Sequence, residues 1–380
     1  MMREAVIVEA VRTPIGKHKG GLSAVHPQEL AAHTLKELIK RTGISPSLVE
    51  DVIFGIGSQV GKQGFDLARV ASLIAEFPIE VPGVVVERQC GSGQQAIHFA
   101  AQAILSGDMD VVIAGGVEVM SHVLPLATPD HSKEYFKRYE VLHQGVSAER
   151  VADKWDISRT QLDEFSIESH RKALLAQREG RFEREIVPIE VTLPDGTTAI
   201  VSADEGVRAD TSLEKLAGLK PVFQAGGKIH AGNSSQISDG ASSVLIMSRD
   251  KAEELGLKPR ARIISRSVVG SDPTLMLTGP IAASKKALEI AGLTLEDMDI
   301  YEVNEAFAPV PMVWAQEMGA DWNKLNVNGG AIALGHPIGC TGARIMTTLL
   351  HELERRGGRY GLMSICEGHG QANATIIERL

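Results

Sequence analysis

Cys90 stands between the β-branched run at residues 84–86 and a small-residue turn, Gly91-Ser92-Gly93, that opens an apolar helical pattern. A thiol at a helix start meets free backbone N–H groups and the positive end of the helix dipole, both of which favour a thiolate nucleophile. The flanking glycines would let a bulky acyl group reach the sulfur. The bland alternative is a buried cysteine acting as a small hydrophobe. His336 lies between Gly335 and Pro337 in a glycine-rich stretch, residues 326–342, where a stiff backbone suits a general base or oxyanion donor of fixed orientation. Cys366 ends a second strand-like run and is followed by Gly368 and Gly370, whose N–H groups would face a reacting oxygen. Asn304, in Asn304-Glu305-Ala306-Phe307, adds an amide at the end of another such run. A zinc site would want short Cys/His ligand pairs, which these spacings do not supply.

Strand ends and helix starts must position these groups. Short apolar runs at residues 5–8, 52–56, 84–86 and 111–114 alternate with helical patterns, the plan of a sheet covered on both faces. The last third repeats it. Pro280 opens a helical stretch ending at Gly292, as Pro27 opens one ending at Gly43. Cys90-Gly91-Ser92-Gly93 and Gly339-Cys340-Thr341-Gly342 each lead into a helix and then a strand. Two related halves are the simplest account. Residues 121–237 differ, with charged helical stretches such as 159–179 and a turn at Pro194-Asp195-Gly196, and read as an insertion folded over the symmetric body. Open α/β sheets place ligands at the carboxyl ends of their strands, so the four groups are expected to converge there.

Composition agrees with this plan. The 380 residues allow two or three domains, and 43% hydrophobic residues suffice for a sizeable core. Glycine makes up 38 of them, one in ten against about 7% in an average protein, as tight turns and close backbone approaches require. A net charge of −9 without a basic block argues against nucleic acid as a partner. Met1-Met2-Arg3-Glu4 lacks the plan of a secretory leader, and no apolar run reaches the ~18 residues that span a membrane. A cytoplasmic protein is expected. Three cysteines at long spacings fit a reducing compartment.

The four blocks, in this order and together with the opening Val6-Ile7-Val8-Glu9-Ala10-Val11-Arg12-Thr13-Pro14-Ile15-Gly16, resemble those of the thiolases, the acetyl-CoA acetyltransferase and 3-ketoacyl-CoA thiolase family. The resemblance runs along essentially the whole chain. It implies an α/β thiolase fold: duplicated βαβαβαββ halves forming a five-layered αβαβα body with an inserted loop domain. The expected division is residues 1–121 plus 239–259, a coenzyme A-binding loop domain at 122–238, and 260–380. It further implies Cys90 as the acylated nucleophile, His336 as its base and Cys366 as the acid/base thiol. Asn304 would hold a water that stabilises the enolate with His336, and the N–H groups of Cys90 and Gly368 would form the oxyanion hole. Ser235 would contact the pantetheine arm of coenzyme A, Arg208 would pack on its adenine, and His143 would line the tunnel. Coenzyme A is then a substrate, no cofactor is needed, and the partners are acyl-CoA and 3-ketoacyl-CoA, as in fatty-acid β-oxidation.

Three departures matter. The last block usually has three glycines after Cys and one variable residue, whereas the middle one here is His369. If that position needs φ > 0, the histidine is strained; if not, it adds a titratable group near Cys366. Gln144 stands where many short-chain members carry a methionine, which argues against a strict acetoacetyl substrate. The stretch 122–144 is shorter than in tetrameric members, so a homodimer is expected rather than a dimer of dimers. Gly339-Cys340-Thr341-Gly342 looks more like the degradative members, with Cys340 a packing residue. Three alternatives stand beside the degradative reading: a biosynthetic acetoacetyl-CoA thiolase, a decarboxylating synthase, against which Cys366 speaks, and a weakly catalytic acyl-CoA-binding protein.

Overall fold

A computed structural model describes residues 3–123, 131–192 and 196–380. Its first strands are β1 (Ala5–Arg12), β2 (Gly16–Lys17), β3 (Asp51–Gly55), β4 (Gly83–Val86) and β5 (Val111–Val119). After the hairpin β6 (Ile189–Thr192) and β7 (Thr198–Val201) come β8 (Ser238–Ser248), β9 (Ala261–Gly270), β10 (Ile300–Val303), β11 (Tyr360–Glu367) and β12 (Gln371–Arg379). The large sheet runs β10-β11-β12-β9-β1-β8-β5-β3-β4, with β2 added on β8.

The duplication is visible in the pairing. In the first half β3 lies parallel to β5, then β8 and β1 follow antiparallel. In the second, β10 lies parallel to β11, then β12 and β9 follow antiparallel. The place of β4 is taken there by a single parallel bridge, Tyr301 to Leu325. β1 and β9 touch through Val6–Arg262 and Ile7–Ala261, which joins the halves.

Both faces of the central strands β1, β5 and β8 are covered, and alternate side chains of the apolar β5 enter different layers. Val111, Ile113 and Val117 of β5 pack with Leu30, Leu35 and Leu67 of the helices Pro27–Thr42 and Leu67–Ile74. Val112 and Ala114 face the other way, toward Ile97, Ala100 and Ile104 of the helix Ser92–Ser106 and Leu349 and Leu350 of the helix Ile338–Arg356. On the far side Ala283, Ala287 and Trp314 of the helices Gly279–Ala291 and Pro309–Met318 meet Ile376 and Leu362. These are the five layers, αβαβα.

The two central helices begin at the catalytic candidates and touch through glycine. A Cβ on Gly93 would lie 2.7 Å from the Gly339 carbonyl oxygen, and one on Gly342 would lie 2.1 Å from the Gln94 nitrogen. A Cβ on Gly91 would overlap Glu367 Oε1 at 1.9 Å. This corrects the sequence-based reading that these glycines make room for an acyl group: protein fills the space, and the glycines bring the halves together. Gly342→Ala forces backbone against backbone and is expected to destabilise by about 1–3 kcal/mol. A lowered urea midpoint at unchanged slope would show it.

The inserted segment is anchored by the fully buried Arg12, which reaches Glu185 at 2.7 Å and the two oxygens of Asp204 at 2.7 and 2.9 Å. Its helices Gln144–Lys154 and Arg159–Arg178 lay Ala148, Val151 and Leu162 over Met276, Phe307, Ile332 and Cys366. Of the expected turn, Pro194 and Asp195 lie outside the described residues, while Gly196 has φ +83° beside the hairpin strand β7.

Candidate active site

Three of the four sequence candidates, Cys90, Asn304 and Cys366, sit at or just beyond strand ends; His336, expected there too, lies between two helices. Cys90 follows β4 through a strained residue, Gln89 at φ +50°, and stands just before the helix Ser92–Ser106. Asn304 follows β10 and donates its N–H to the Ser364 carbonyl at 3.0 Å, so the amide is fixed two residues from Cys366 of β11. His336 lies between the helices Ala331–Leu334 and Ile338–Arg356.

His336 is held on every side. Its N–H is shared between the Gln236 carbonyl and Ser238 Oγ, each at 3.2 Å. Ring Nδ1 lies 2.6 Å from Thr341 Oγ1, and the Thr341 hydroxyl donates to the Pro337 carbonyl at 2.9 Å. Because that hydroxyl has only one proton, the geometry assigns the hydrogen to Nδ1 and leaves Nε2 as an acceptor. Nε2 faces the Asn304 amide nitrogen at 3.5 Å. Asn304 Oδ1 is buried with no protein partner among the described residues, so an acceptor points into the site.

Electrostatics are dominated by desolvation, since Cys90, His336 and Cys366 are only 4%, 4% and 1% exposed. Burial pushes the Cys90 thiol well above its ordinary range, and the neighbouring Cys366 and Glu367 push the same way. Cys366 is raised to about 12 by burial and then by Glu367. Burial thus works against the thiolate that the helix start favours. Burial, helped by Arg344, lowers His336 to about 3, so the ring remains a neutral base. The acylation rate is accordingly expected to show no histidine limb between pH 5 and 8. An inflection near the ordinary histidine pKa of about 6.5 in the pH profile of kcat/KM would contradict this.

Gly368 begins the turn between β11 and β12, and the nearest atoms to a Cβ there are Gln89 Oε1 at 3.1 Å and Gln144 Nε2 at 3.4 Å. His369 has φ +61°, so of the two outcomes the sequence allowed, the strained one holds. Left-handed backbone costs a side chain roughly 1–2 kcal/mol. His369 Nδ1 is 3.0 Å from the Tyr135 hydroxyl.

The coenzyme A candidates occupy the rim. Ser235 donates its N–H to the Ala306 carbonyl at 2.9 Å, and Ser234 bridges to Phe307, which lays this segment along the asparagine block. His143 caps the helix Gln144–Lys154 and stacks on Phe223 at 5.1 Å, which in turn meets Phe307 edge-on at 5.9 Å. Arg208 is exposed, its N–H bonded to His170 Nδ1 at 3.1 Å. It follows Gly206, whose carbonyl accepts from Gln236 at 2.9 Å, so Arg208 and Ser235 belong to one connected rim. Cys340 is fully buried with its thiol raised to about 12, the packing residue expected.

Some functional groups escaped the sequence reading. Glu367 is fully buried, neither oxygen has a partner among the described residues, and burial raises it to about 9. Its signal, a carboxylate between Cys366 and Gly368, was in view but reads as a solvated strand end. Thr341 and Gln236 orient His336, and Glu305 ties the asparagine block to Ser169 at 2.7 Å, Asn326 at 2.9 Å and the Ile332 N–H at 3.1 Å.

Comparison with known proteins settles the lineage. Residues 5–250 match the family model described as the thiolase N-terminal domain, and residues 257–379 the thiolase C-terminal domain. The chain belongs to the thiolase family. As a thiolase it is an acyltransferase. It is 48% identical, over all of this chain and 95% of the relative, to the steroid 3-ketoacyl-CoA thiolase FadA6 of Mycobacterium tuberculosis. It is 45% identical over the full length of both chains to a 3-ketoacyl-CoA thiolase of Vibrio vulnificus. The crystal structure of the Bacillus anthracis acetyl-CoA acetyltransferase superposes with a TM-score of 0.92 at 42% identity, covering 100% of this thiolase and 99% of that chain.

Proposed function

We propose that this thiolase cleaves 3-ketoacyl-CoA with coenzyme A, reversibly, to acyl-CoA and acetyl-CoA through an acyl-Cys90 intermediate. The observation that carries this reading is the Asn304–His336 pair, with His336 Nε2 left as an acceptor by the Thr341 contact at Nδ1 and Asn304 Oδ1 buried and open to a partner, in a fold that also buries the thiols of Cys90 and Cys366. The names of the relatives support the degradative direction.

In the proposed sequence Cys90 Sγ attacks the C3 carbonyl while His336 Nε2 takes its proton. The N–H groups of Cys90 and Gly368 receive the tetrahedral oxyanion; each such donor typically contributes on the order of 3 kcal/mol. Collapse breaks the C2–C3 bond and leaves the acyl group on Cys90. The departing acetyl-CoA enolate, its oxygen held by His336 and by a water on Asn304, takes the Cys366 proton at carbon. The Cys366 thiolate then accepts the proton of coenzyme A, whose sulfur attacks acyl-Cys90; collapse of that adduct releases acyl-CoA and the Cys90 thiolate, which takes back its proton from His336, so both thiols are restored. Coenzyme A enters as substrate along Ser235, His143 and Arg208, and the scheme draws on no cofactor.

Chain length separates this from the biosynthetic reading. Gln144 beside Gly368 puts a polar amide of similar length where short-chain members have a methionine, which supports a substrate range other than strict acetoacetyl. Thiolysis of 3-ketooctanoyl-CoA is expected to exceed that of acetoacetyl-CoA in kcat/KM. Turnover of acetoacetyl-CoA alone would favour the biosynthetic role, and loss of neither substrate would overturn the enzyme assignment.

A further inference from the structure

A second concavity opens on the outer side of the turn that carries Gly368. Its volume is about 550 Å³, and among the described residues it is lined by the rings of His131, Tyr135, Tyr139 and His369 together with Gly270, Ser271, Pro273, Gly370 and Gln371. That is the size of an ordinary small-molecule site. Its four rings are in contact with one another. His369 meets His131 edge-on at 4.8 Å and Tyr135 at 5.7 Å, and Tyr135 meets Tyr139 at 5.8 Å. Tyr139 is 49% exposed, so ring surface is left uncovered.

Two features connect this concavity to the reaction centre. The turn from Gly368 to Gly370 has Gln89 and Gln144 at one end and the concavity at the other. The segment from Gly270 to Pro273 continues into Met276 and Leu277, which pack with Cys366. Gly368 and His369, neighbours in this turn, thus face the Gln89–Gln144 side and the ring-lined side respectively, and the path proposed for the acyl chain runs from Cys90 past Gly368 toward these rings. His369 supplies a further argument. It keeps a strained backbone, φ +61°, at a position where glycine would be free, and its side chain is part of the lining. Strain retained next to a reaction centre points to use.

Resting on the thiolysis reading, we propose that this concavity receives the distal part of the substrate and that the preferred substrates are 3-ketoacyl-CoA esters whose acyl group ends in a ring. The physical reason is geometric. Rings already spaced at 4.8–5.8 Å offer further edge and face contacts at the 4.5–7 Å separations that another ring prefers. A linear chain gains only buried area.

The test compares 5-phenyl-3-ketopentanoyl-CoA with 3-ketoundecanoyl-CoA, which has the same number of acyl carbons. The expected kcat/KM ratio favours the ring by about tenfold. Tyr135→Ala, on the exposed helix Lys133–Arg138, is expected to abolish that preference, and Tyr135→Phe, which keeps the ring but not the hydroxyl, to retain most of it. A ratio near one in the unaltered enzyme, or the same ratio in Tyr135→Ala, would overturn the proposal. If no ketoacyl ester is turned over, the thiolysis reading fails, and the pocket is judged by affinity: Cys90→Ala is expected to bind 5-phenylpentanoyl-CoA about tenfold more tightly than undecanoyl-CoA. Equal affinity would refute it.

Discussion

Cys90→Ala is expected to lower thiolysis of 3-ketoacyl-CoA by at least about 10⁴-fold and to remove the acyl adduct from the intact-protein mass spectrum. Covalent catalysis divides acyl transfer into two steps that share one sulfur, so its loss removes both rather than slowing one. Neighbouring groups cannot replace it: a water in its position would have to be ionised by the same neutral imidazole, against a higher pKa. Alanine leaves the fold intact, because Cys90 packs among Ile53, Ala96 and Val86, which tolerate the loss of one sulfur. The control is incubation with 3-ketoacyl-CoA without coenzyme A, where the unaltered enzyme accumulates adduct. An adduct surviving in the variant would move the nucleophile to Cys366, since Cys340 lies fully buried in the interhelical core.

Much of this site was legible from residue order alone, and the reason is local. A strand that ends in Cys followed by Gly-Ser-Gly, or a histidine between glycine and proline, declares its backbone within five residues. The two halves were legible because Pro27 to Gly43 and Pro280 to Gly292 repeat a helix with the same punctuation. What stayed hidden depends on distance in sequence. Thr341 fixes the His336 tautomer, but Gln236 and Ser238 reach it from about a hundred residues away. Nothing near Glu367 foretells that Gly91, on the other half, will lie against its carboxyl. β8, with its run Ser238-Asp239-Gly240-Ala241-Ser242-Ser243, looks like a polar loop, yet every residue of the strand is buried because neighbours pair on both edges. The sign of the Cys90 shift failed for the same reason. Helix position is written in the sequence, whereas burial between the two halves of the large sheet is a property of the assembled layers.

Cys366→Ala is expected to separate two activities that Cys90→Ala abolishes together. Breaking the C2–C3 bond expels an enolate, which must gain a proton at carbon, and in the proposed scheme the Cys366 thiol supplies it. Correctly placed acid–base groups contribute about 10²–10⁴-fold, and thiolysis by the variant is expected to fall by the upper part of that range. Acylation by S-(4-nitrophenyl) thioacetate needs no such proton, because 4-nitrothiophenolate leaves as a stable anion. Its burst, one equivalent per Cys90, is expected to survive within about tenfold. The raised pKa of Cys366, about 12, sharpens the contrast. Even so raised, the thiol is a much stronger acid than the α-carbon of acetyl-CoA, so proton transfer to the enolate carbon remains downhill. The reverse reaction gives an independent readout: exchange of the acetyl-CoA α-protons with D₂O, seen by NMR in the unaltered enzyme, is expected to stop in the variant. Unchanged exchange, or equal loss of burst and thiolysis, would refute the assigned role and point to Cys366 as a packing residue against Phe307 and Ile332.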